Sequence, residues 1–521
     1  MNRTESLRRL SARTEPFDIA IIGGGSSGFG VALEAQARGL SVVLLDKSDF
    51  GKGTSSRSTK LLHGGVRYLA QGQVRLVFEA LGERGLLLKA APHLSAVQRF
   101  VIPIYSRYER LKYTTGLKVY DLMSGRLRIG RSRFVNREDT LRRLPNVRPE
   151  GLLGGVIYHD GQFDDARLLI AIARTCFDMG ACLLNHAKVK ALTKDGKGRI
   201  TGLRAKDELD ERNYHVKARM VVNATGVFAD KILRMDTPGA ARSIKPSQGI
   251  HLVLDHDFLG GADALMIPAT SDGRVLFIVP WQGKLIVGTT DTLRHKPSLE
   301  PQALEEEIDF VLDNAAQYLR RKPTRADVRS VFVGLRPLAM PKEGGTKTKE
   351  VSRSHKVIIS DSGLVSIVGG KWTTFRKMGE DTVQAFAQIS GAALPPRSHF
   401  PKDFHGAAPR TEGHLNAYGS DAPAIRELQA ASAKFAARLH PDHPYTAAEV
   451  VWAARHEMAM TVEDVLARRL RLLLLDARAA VEAAPAVAEI LAAELGKDHK
   501  WIRTELEDFS KIARKYLIAN P

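Results

Sequence analysis

The segment from residue 17 to residue 46 constrains the fold more than any other stretch of the chain. It begins with FDIAIIGGG (17–25), in which the apolar run IAII is followed by three glycines. A stretch of helix-forming residues (29–38) ends at Gly39, and SVVLLD (41–46) is a second apolar run. Short apolar runs of this kind predict buried parallel strands. The segment therefore predicts a β-α-β unit of about 30 residues, typical of an α/β fold.

Three glycines and one acid in this unit form a ligand-binding pattern. Gly23, Gly25 and Gly28 have the spacing G-x-G-x-x-G between the first strand and the helix. The first glycine permits a tight turn, the second lets the backbone approach a pyrophosphate, and the third lets helix and strand pack closely. Asp46 ends the second strand, where a carboxylate accepts hydrogen bonds from ribose hydroxyls. The pattern predicts a dinucleotide site, and the alternative is a glycine-rich turn with a surface aspartate.

Size, charge and cysteine content narrow the class of protein. A chain of 521 residues predicts two or three domains. The 77 Lys and Arg exceed the 58 Asp and Glu and give a net charge of +19, which favours anionic partners such as phosphorylated metabolites or a membrane surface. No nucleic-acid-binding signature is visible, so we expect no nucleic-acid partner. The two cysteines, Cys176 and Cys182, predict neither a disulfide framework nor a thiolate zinc site, and we expect no metal.

Membrane and targeting signals are also constrained by the sequence. The sequence contains no uninterrupted run of about 20 apolar residues, so it predicts no membrane-spanning helix. The most apolar segment, residues 470–495, is interrupted by charges and predicts an amphipathic helix that packs on a domain. Residues 1–16 lack the apolar core of a secretory signal, and their four arginines predict a flexible basic tail.

The rest of the chain changes character towards its C-terminus. Four segments follow the glycine motif: a turn-rich stretch and helix (151–181), a strand ending in a glycine turn (218–226), a hairpin (274–291), and a strand–glycines–helix unit (364–389). The adjacent acids Asp164 and Asp165 begin a helical stretch and predict N-terminal capping. A proline-containing linker at 393–401 precedes an Ala-, Leu-, Glu- and Arg-rich region that predicts a helical domain.

Many motifs, in a consistent order, carry a resemblance to a known family. They are IIGGGSSGFG, GTSSRSTKLLHGGVRYL, GLKVYDLMSG, YHDGQFDDARL, VVNATG, FIVPW with VGTTD, GLRPL, VGGKWTTFRK and TVEDVLARRLRLLLLD. On these motifs the chain, from Phe17 onward, resembles the FAD-dependent, respiratory glycerol-3-phosphate dehydrogenases. The resemblance implies a Rossmann-like FAD-binding domain interleaved with a mixed-sheet substrate subdomain, of the glutathione-reductase/D-amino-acid-oxidase type, and an all-α C-terminal domain. The expected divisions are a basic N-terminal tail (1–16), the oxidoreductase domain (17–392) and the helical domain (402–521).

The resemblance also implies which residues bind FAD. Asp46 and the glycine loop would hold the adenosine and pyrophosphate, and the hydroxyl-rich segment after the second strand would lie along the flavin. The implied cofactor-binding residues are Gly23, Gly25, Ser27, Gly28, Asp46, Thr54, Ser55, Ser56, Lys60, His63, Gly64, Ala224, Thr225, Gly226, Gly370 and Thr373.

The implied substrate, glycerol 3-phosphate, is a dianion that guanidinium groups bind well. The resemblance implies that Arg67, Tyr68 and Arg353 bind it, and that the catalytic residues are His251, Arg336 and Lys371. His251 would accept the hydroxyl proton because an imidazole titrates near neutral pH, and the two cations would stabilise a developing alkoxide. Each has an ordinary alternative: a buried core histidine for His251, an exposed turn for Arg336, and a solvated basic surface for Arg353.

The chain departs from the common family pattern at three positions. Ser27 stands where the family usually has Asn. The family form SKGSH is SQGIH here, so that Gln248 replaces a lysine and Ile250 a serine. The sequence therefore predicts that a cation and a hydroxyl are lost near His251.

The implied reaction is oxidation of sn-glycerol 3-phosphate to dihydroxyacetone phosphate, with electrons passed from FAD to ubiquinone or another quinone. The basic, aromatic segment 105–144 is a candidate for docking on an anionic membrane, and a solvated basic face is the alternative. We expect a peripheral enzyme, a homodimer, on the cytoplasmic face of a bacterial inner membrane. An oxygen-using glycerol-3-phosphate oxidase and a flavin-bearing binding protein without turnover are the alternative functions.

Overall fold

The computed structural model describes residues 1–65, 74–123, 128–340 and 355–518. The strands are β1 Phe17–Ile22, β2 Val42–Leu45, β3 Leu61–Leu62, β4 Ser95–Ile104, β5 Arg133–Asn136, β6 Gly154–Phe163, β7 Cys182–Leu184, β8 Ala187–Lys194, β9 Ile200–Asp207, β10 Asn213–Asn223, β11 Ile244–Asp255, β12 Ala264–Ile267, β13 Leu276–Trp281, β14 Lys284–Gly288, β15 Thr292–Leu293, β16 Ser330–Ala339, β17 Lys356–Ile359 and β18 Leu364–Val368. The helices are α1 Arg3–Ser11, α2 Ser26–Ala37, α3 Val74–Ala90, α4 Arg107–Met123, α5 Arg137–Arg143, α6 Asp165–Asp178, α7 Ala229–Asp236, α8 Glu305–Ala316, α9 Phe375–Val383, α10 Ala385–Ser390, α11 Ala422–Ala431, α12 Ala433–Ala436, α13 Ala447–His456, α14 Leu472–Leu475, α15 Ala477–Leu495 and α16 His499–Ala513.

The first sheet contains the predicted β-α-β unit. Its strand order is β17-β18-β10-β1-β2-β7, and the pairs β18–β10, β10–β1, β1–β2 and β2–β7 are parallel. The central strand β1 is buried on both faces: Ile19, Ala20 and Ile21 have no exposed surface. The predicted Rossmann-like α/β arrangement is confirmed, because the apolar runs pair as parallel strands with helices packed against them.

The second sheet is mixed, as the fold class predicted. Its strands follow the order β15-β11-β14-β13-β12-β4-β6-β3, with β16 paired to β11 and β5 to β6. The hairpin predicted at 274–291 is β13 and β14, which turn at Gln282 and Gly283, both with positive φ. The prediction of a turn-rich stretch after residue 151 is wrong in part, because residues 154–163 form strand β6. Its glycines are there for close packing: a Cβ on Gly154 would lie 2.3 Å from the carbonyl oxygen of Val135.

The helical C-terminal region is confirmed and packs against the second sheet. Helices α11 to α16 follow the predicted linker. The segment 470–495, expected as one helix, is two helices, because Asp476 leaves helical geometry and caps α15 through a hydrogen bond from the Ala479 N–H. A buried apolar cluster joins Val450 and Leu466 of this region to Ile286 and Phe332 of the second sheet.

The N-terminal residues do not form the flexible tail that their charge predicted. Residues 3–11 are helix α1, which packs against β7. Arg3 donates to Asp207 at 2.7 Å, and Arg9 donates to the carbonyl oxygens of Phe177 and Ala181. The arginines therefore serve as specific contacts to the first sheet and its surroundings.

Two further expectations concern thiols and membrane segments. Cys176 and Cys182 are both free and buried, as predicted, and burial raises the pKa of each thiol. Within the described ranges, none of the helices has the length and apolar character needed to cross a membrane.

Candidate active site

A cavity lies at the carboxyl ends of the parallel strands. Gly23 follows β1, Asp46 follows β2, Ala224 follows β10 and Gly369 follows β18, and all four line it. Ligands of open α/β sheets bind at this edge. The cavity also contains most of the predicted site residues: Gly23, Gly25, Ser27, Asp46, Thr54, Ser55, His63, Ala224, Thr225, Gly226, His251, Arg336, Gly370, Lys371 and Thr373.

The glycine loop has the steric requirements of a dinucleotide-binding turn. Gly23 has φ +111°, and a Cβ on it would lie 2.6 Å from the carbonyl oxygen of Ala224. Gly28 does not line the cavity; a Cβ there would lie 1.9 Å from the carbonyl oxygen of Gly23. Gly28 thus serves the close packing of helix on strand, the third role in the motif.

Asp46 and the start of α2 fit a dinucleotide. Asp46 accepts hydrogen bonds from the N–H groups of Gly24 (2.7 Å) and Ser48 (2.8 Å), and burial raises its pKa. Each carboxylate oxygen keeps a second lone pair for a ribose hydroxyl. The N-cap residue of α2, Gly25, has no side chain, and the Ser26 N–H donates to Ser55 Oγ (3.0 Å). The start of the helix, residues 25–27, lines the cavity where a pyrophosphate would lie.

The predicted catalytic residues lie on one face of two paired strands. In the antiparallel pair β11–β16, His251 is opposite Phe332 and Ser247 is opposite Arg336. The intervening pair is Gly249 and Gly334, which line the cavity. Because side chains alternate along a strand, these six residues share a face. The result is a floor of bare backbone with an imidazole at one end and a guanidinium at the other.

Arg336 extends along this floor towards His251. Its Nη1 donates to the carbonyl oxygen of Thr290 (3.0 Å), and its Nη2 donates to Oγ1 of Thr289 (3.2 Å). A Cβ on Gly249 would lie 2.5 Å from Nη2, so only glycine leaves room for this guanidinium. The side chain is about a quarter exposed, which leaves the guanidinium accessible from the cavity.

His251 is enclosed and held by two contacts. Its ring stacks on Phe332 with centroids 4.7 Å apart, and its Nε2 lies 2.8 Å from Oγ1 of Thr59. Burial, with Lys60 and Arg336 nearby, lowers the pKa of His251 well below its usual value near 6.5. The imidazole is therefore neutral at neutral pH, the form that accepts a proton.

The departures at Gln248 and Ile250 do not alter this face. Both residues alternate with His251 along β11, so their side chains point to the opposite side of the sheet. Ile250 lies in an apolar core, and the amide of Gln248 donates to Glu307 (2.6 Å) and to the carbonyl oxygen of Gln302. The predicted loss of a cation and a hydroxyl near His251 is wrong, because neither side chain reaches the cavity.

Ser56, Lys60 and Gly64 were expected beside the flavin, but the structure places them outside the cavity lining. Lys60 has no exposed surface, and its Nζ donates to both oxygens of Asp165 (2.9 and 2.7 Å) and to the carbonyl oxygen of Ser56 (2.8 Å). The Gly64 N–H donates to Asp160, which is paired with Arg84.

The sequence did not reveal a buried cluster beneath the site, composed of Lys60, Asp165 and Arg471. Arg471 Nη2 donates to Oδ1 of Asp165 (2.9 Å) and to the carbonyl oxygen of Ser56 (2.8 Å). Although burial opposes ionisation, Lys60 and Arg471 hold the pKa of Asp165 below its usual value. Asp164 caps α6 as predicted. Asp165 has an additional role that its DD pair did not suggest.

Three predicted substrate residues, Arg67, Tyr68 and Arg353, lie outside the described residues.

Comparisons with known proteins agree with this architecture. A family model described as FAD dependent oxidoreductase matches residues 18–376, and one described as the C-terminal domain of alpha-glycerophosphate oxidase matches residues 365–501. A probable mitochondrial glycerol-3-phosphate dehydrogenase of Caenorhabditis elegans is 40% identical over 97% of this chain and 74% of its own length. The human mitochondrial glycerol-3-phosphate dehydrogenase is 39% identical over 97% of this chain and 73% of its own length.

A solved structure supports the same assignment. The X-ray structure of the glycerol-3-phosphate dehydrogenase from Bacillus halodurans, complexed with FAD, has a TM-score of 0.79 and 28% sequence identity, and the match covers 99% of this chain and 98% of that chain. The glycine loop, Asp46 and the start of α2 fit the same cofactor. The chain therefore belongs to the family of FAD-dependent glycerol-3-phosphate dehydrogenases.

Proposed function

We propose that the protein oxidises sn-glycerol 3-phosphate to dihydroxyacetone phosphate by hydride transfer to FAD, and that the electrons pass to a membrane quinone. One observation carries the substrate and the chemistry: His251 and Arg336 share one face of β11–β16, over paired glycines, in the cavity that also contains the dinucleotide-binding loop. The names of the relatives support the same substrate.

The cavity supplies the two protein functions that the reaction needs. Oxidation removes a hydride from the carbon that bears the secondary hydroxyl, and a proton from that hydroxyl, as the C=O bond forms. Bound FAD supplies the two-electron acceptor. His251, neutral because of its lowered pKa, accepts the proton. Arg336 and Lys371, which line the cavity, stabilise the developing negative charge on oxygen.

Phosphate recognition requires further cations at the cavity. We assign it to Arg67, Tyr68 and Arg353, as the family resemblance implies, together with Arg336. A guanidinium offers paired donors that match two phosphate oxygens, which an ammonium does not. The bare backbone at Gly249 and Gly334 leaves the depth that a three-carbon substrate needs beside a flat ring.

An exposed helix near the site supports a membrane quinone as the electron acceptor. Helix α4 presents Tyr108, Leu111 and Leu122 to solvent, with exposures of 73%, 70% and 80%, and it also exposes Arg107, Arg110, Lys112 and Lys118. Apolar side chains flanked by cations favour binding at the interface of an anionic bilayer. The same helix reaches the segment next to the cavity: the Tyr120 hydroxyl donates to Asp160, which also accepts from the N–H of Gly64, the neighbour of the cavity-lining His63. A lipid-soluble quinone therefore fits this location better than a soluble carrier.

Anaerobic titration with glycerol 3-phosphate tests the proposal directly. The purified holoenzyme should lose its visible flavin absorption on addition of substrate, and a quinone analogue should restore it. A flavoprotein that keeps its absorption, although dithionite reduces it, would be a binding protein without turnover. If the flavin bleaches but oxygen reoxidises it faster than the quinone analogue does, with release of peroxide, the protein is an oxidase. Glycerol without phosphate is the matched control and should give no bleaching.

A further inference from the structure

Thr59 is the described side chain that forms a hydrogen bond with the imidazole of His251. Its Oγ1 lies 2.8 Å from Nε2, while Phe332 stacks on the ring at an interplanar angle of 16°. No described residue hydrogen-bonds to Nδ1. Stacking fixes the plane of the ring but leaves rotation within that plane, and the contact with Thr59 removes this remaining freedom.

The two residues that flank Thr59 both bond to one carboxylate. Ser58 donates to Oδ2 of Asp165 from its N–H (2.9 Å) and from its hydroxyl (2.7 Å), and Lys60 donates to the same carboxylate from Nζ. Arg471 completes the cluster by bonding to Asp165 and to the carbonyl oxygen of Ser56. Thr59 thus lies between two residues that cannot shift unless this buried charge cluster breaks.

We propose that Thr59 is a positioning residue for His251, and that the Lys60–Asp165–Arg471 cluster holds it in register, so that the C-terminal helical region contributes to the geometry of the site. The inference rests on the proposed function, in which His251 accepts the substrate proton.

The hydroxyl of Thr59 acts most strongly when the proton has moved. Because Nε2 bonds to Thr59 and Nδ1 has no hydrogen-bond partner among the described residues, the substrate proton is accepted at Nδ1, and the resulting imidazolium donates its Nε2–H to Oγ1. A charge-assisted hydrogen bond is stronger than the neutral bond it replaces. Thr59 therefore stabilises the state in which His251 has taken the proton.

Stopped-flow reduction of the flavin in Thr59→Val and Thr59→Ser tests the inference. Valine is isosteric but has no hydroxyl, and we expect the limiting rate constant for reduction to fall about tenfold or more, while the substrate dissociation constant changes less than about twofold. Thr59→Ser restores the hydroxyl and should keep the limiting rate constant within about threefold of the wild-type value. Thr201→Val, a hydroxyl lost on an exposed strand, should leave both constants unchanged.

A double-mutant cycle tests the cluster. If the cluster acts through Thr59, Arg471→Lys should slow reduction in the wild-type background and add little in the Thr59→Val background. Ser58→Ala, which removes one bond to Asp165 with little loss of volume, repeats the cycle should Arg471→Lys fold poorly. Additive losses would overturn the link to the cluster. The role of the hydroxyl would be overturned if the flavin of Thr59→Val were reduced at the wild-type rate. It would also be overturned if Thr59→Ser and Thr59→Val lowered the rate constant equally. If glycerol 3-phosphate did not bleach the flavin of the wild-type enzyme, the proposed function itself would be overturned.

Discussion

Arg471 and Asp165 form a buried ion pair across the boundary between the C-terminal helical region and the FAD-binding region. The Nη2 and Oδ1 atoms are 2.9 Å apart, and the two side chains are 1% and 0% exposed. Lys60 bonds to the same carboxylate, so the pair is part of a wider buried charge network. Loss of one partner would leave buried charge uncompensated, a much larger penalty than the loss of a solvated pair.

Arg471→Met should therefore reduce the free energy of unfolding by about 3–5 kcal/mol. Urea denaturation followed by flavin fluorescence and circular dichroism measures the change. Arg142→Met is the matched control, because Arg142 pairs with Asp139 on the surface, where its side chain is 72% exposed. The control should change stability by less than about 1 kcal/mol. Equal losses in the two variants would contradict a special role for the buried cluster.

Gly23→Ala should abolish FAD binding while the chain still folds. The new Cβ would lie 2.6 Å from the carbonyl oxygen of Ala224, at a φ of +111° that alanine rarely adopts, so the turn must open. The ratio of flavin to protein absorbance after purification measures the loss. Gly82→Ala, in helix α3 with nothing within 4 Å of its new Cβ, is the control and should retain flavin fully. Flavin retention by Gly23→Ala at the wild-type level would contradict the tight turn.

Arg336→Ala should keep the flavin and lose substrate reduction. The guanidinium is held by Thr289 and Thr290 beside the paired glycines, and its removal leaves the floor of the cavity without this cation. We expect the second-order rate constant for flavin reduction by glycerol 3-phosphate to fall at least about 100-fold, since hydrogen bonds to charged groups contribute about 1.5–3 kcal/mol each. Arg336→Lys should recover only part of this loss because an ammonium cannot form the paired contact. Near-normal reduction in Arg336→Ala would refute the substrate assignment.

The sequence predicted the parts of this site that depend on local spacing. The glycine loop, Asp46 and the hairpin at β13–β14 are each specified within a few residues, by turn chemistry and strand alternation. The same alternation places the side chains of Gln248 and Ile250 on the other face of β11 from His251. The expectation of a lost cation and hydroxyl near His251 arose because the motif was considered without this alternation. Strand β6 was missed because its glycines resemble turn residues, whereas they serve close strand packing.

Other parts of the site depend on long-range pairing that spacing does not encode. Lys60 and Asp165 are 105 residues apart, and Asp165 and Arg471 are 306 residues apart. Each looks ordinary in its own segment: a lysine in a loop, an acid at a helix start, an arginine after a helix. Tertiary packing brings Lys60 to Asp165, and the packing of the helical region adds Arg471 to the pair.

Protonation of His251 should not slow flavin reduction when the pH falls from 7 to 6.5, the usual pKa of an imidazole. Burial, Lys60 and Arg336 depress the pKa of His251, so the neutral base is present above that depressed value, and the rate falls only when the pH drops well below 6.5. Stopped-flow measurement of flavin reduction from acidic to neutral pH locates this acidic limb of the pH–rate profile. A second measurement on His251→Asn, which keeps a polar side chain but cannot accept the proton, should show a much slower and flatter profile. A limb centred at or above 6.5 in the wild-type enzyme, absent in His251→Asn, would contradict the buried, neutral imidazole.

Helix α4 should determine binding to anionic membranes. Leu111 is 70% exposed and flanked by Arg110 and Lys112, so its side chain is available to enter the apolar edge of a bilayer while the cations meet lipid phosphates. Burying one leucine contributes about 1.5–3 kcal/mol, and Leu111→Glu also adds repulsion from anionic lipid, so partitioning should fall more than about tenfold.

Sedimentation with vesicles of phosphatidylglycerol and phosphatidylcholine measures this partitioning, and pure phosphatidylcholine vesicles separate the charge contribution. Val481→Glu is the matched control, since Val481 is also an exposed apolar residue of a helix, but on α15 of the C-terminal region. It should bind vesicles like the wild type, and flavin reduction by glycerol 3-phosphate in solution should be unchanged in both variants, because neither residue lines the cavity. Equal binding by Leu111→Glu and the wild type would assign membrane contact to another surface, whereas reduced quinone turnover with intact flavin reduction would link α4 to delivery of the acceptor.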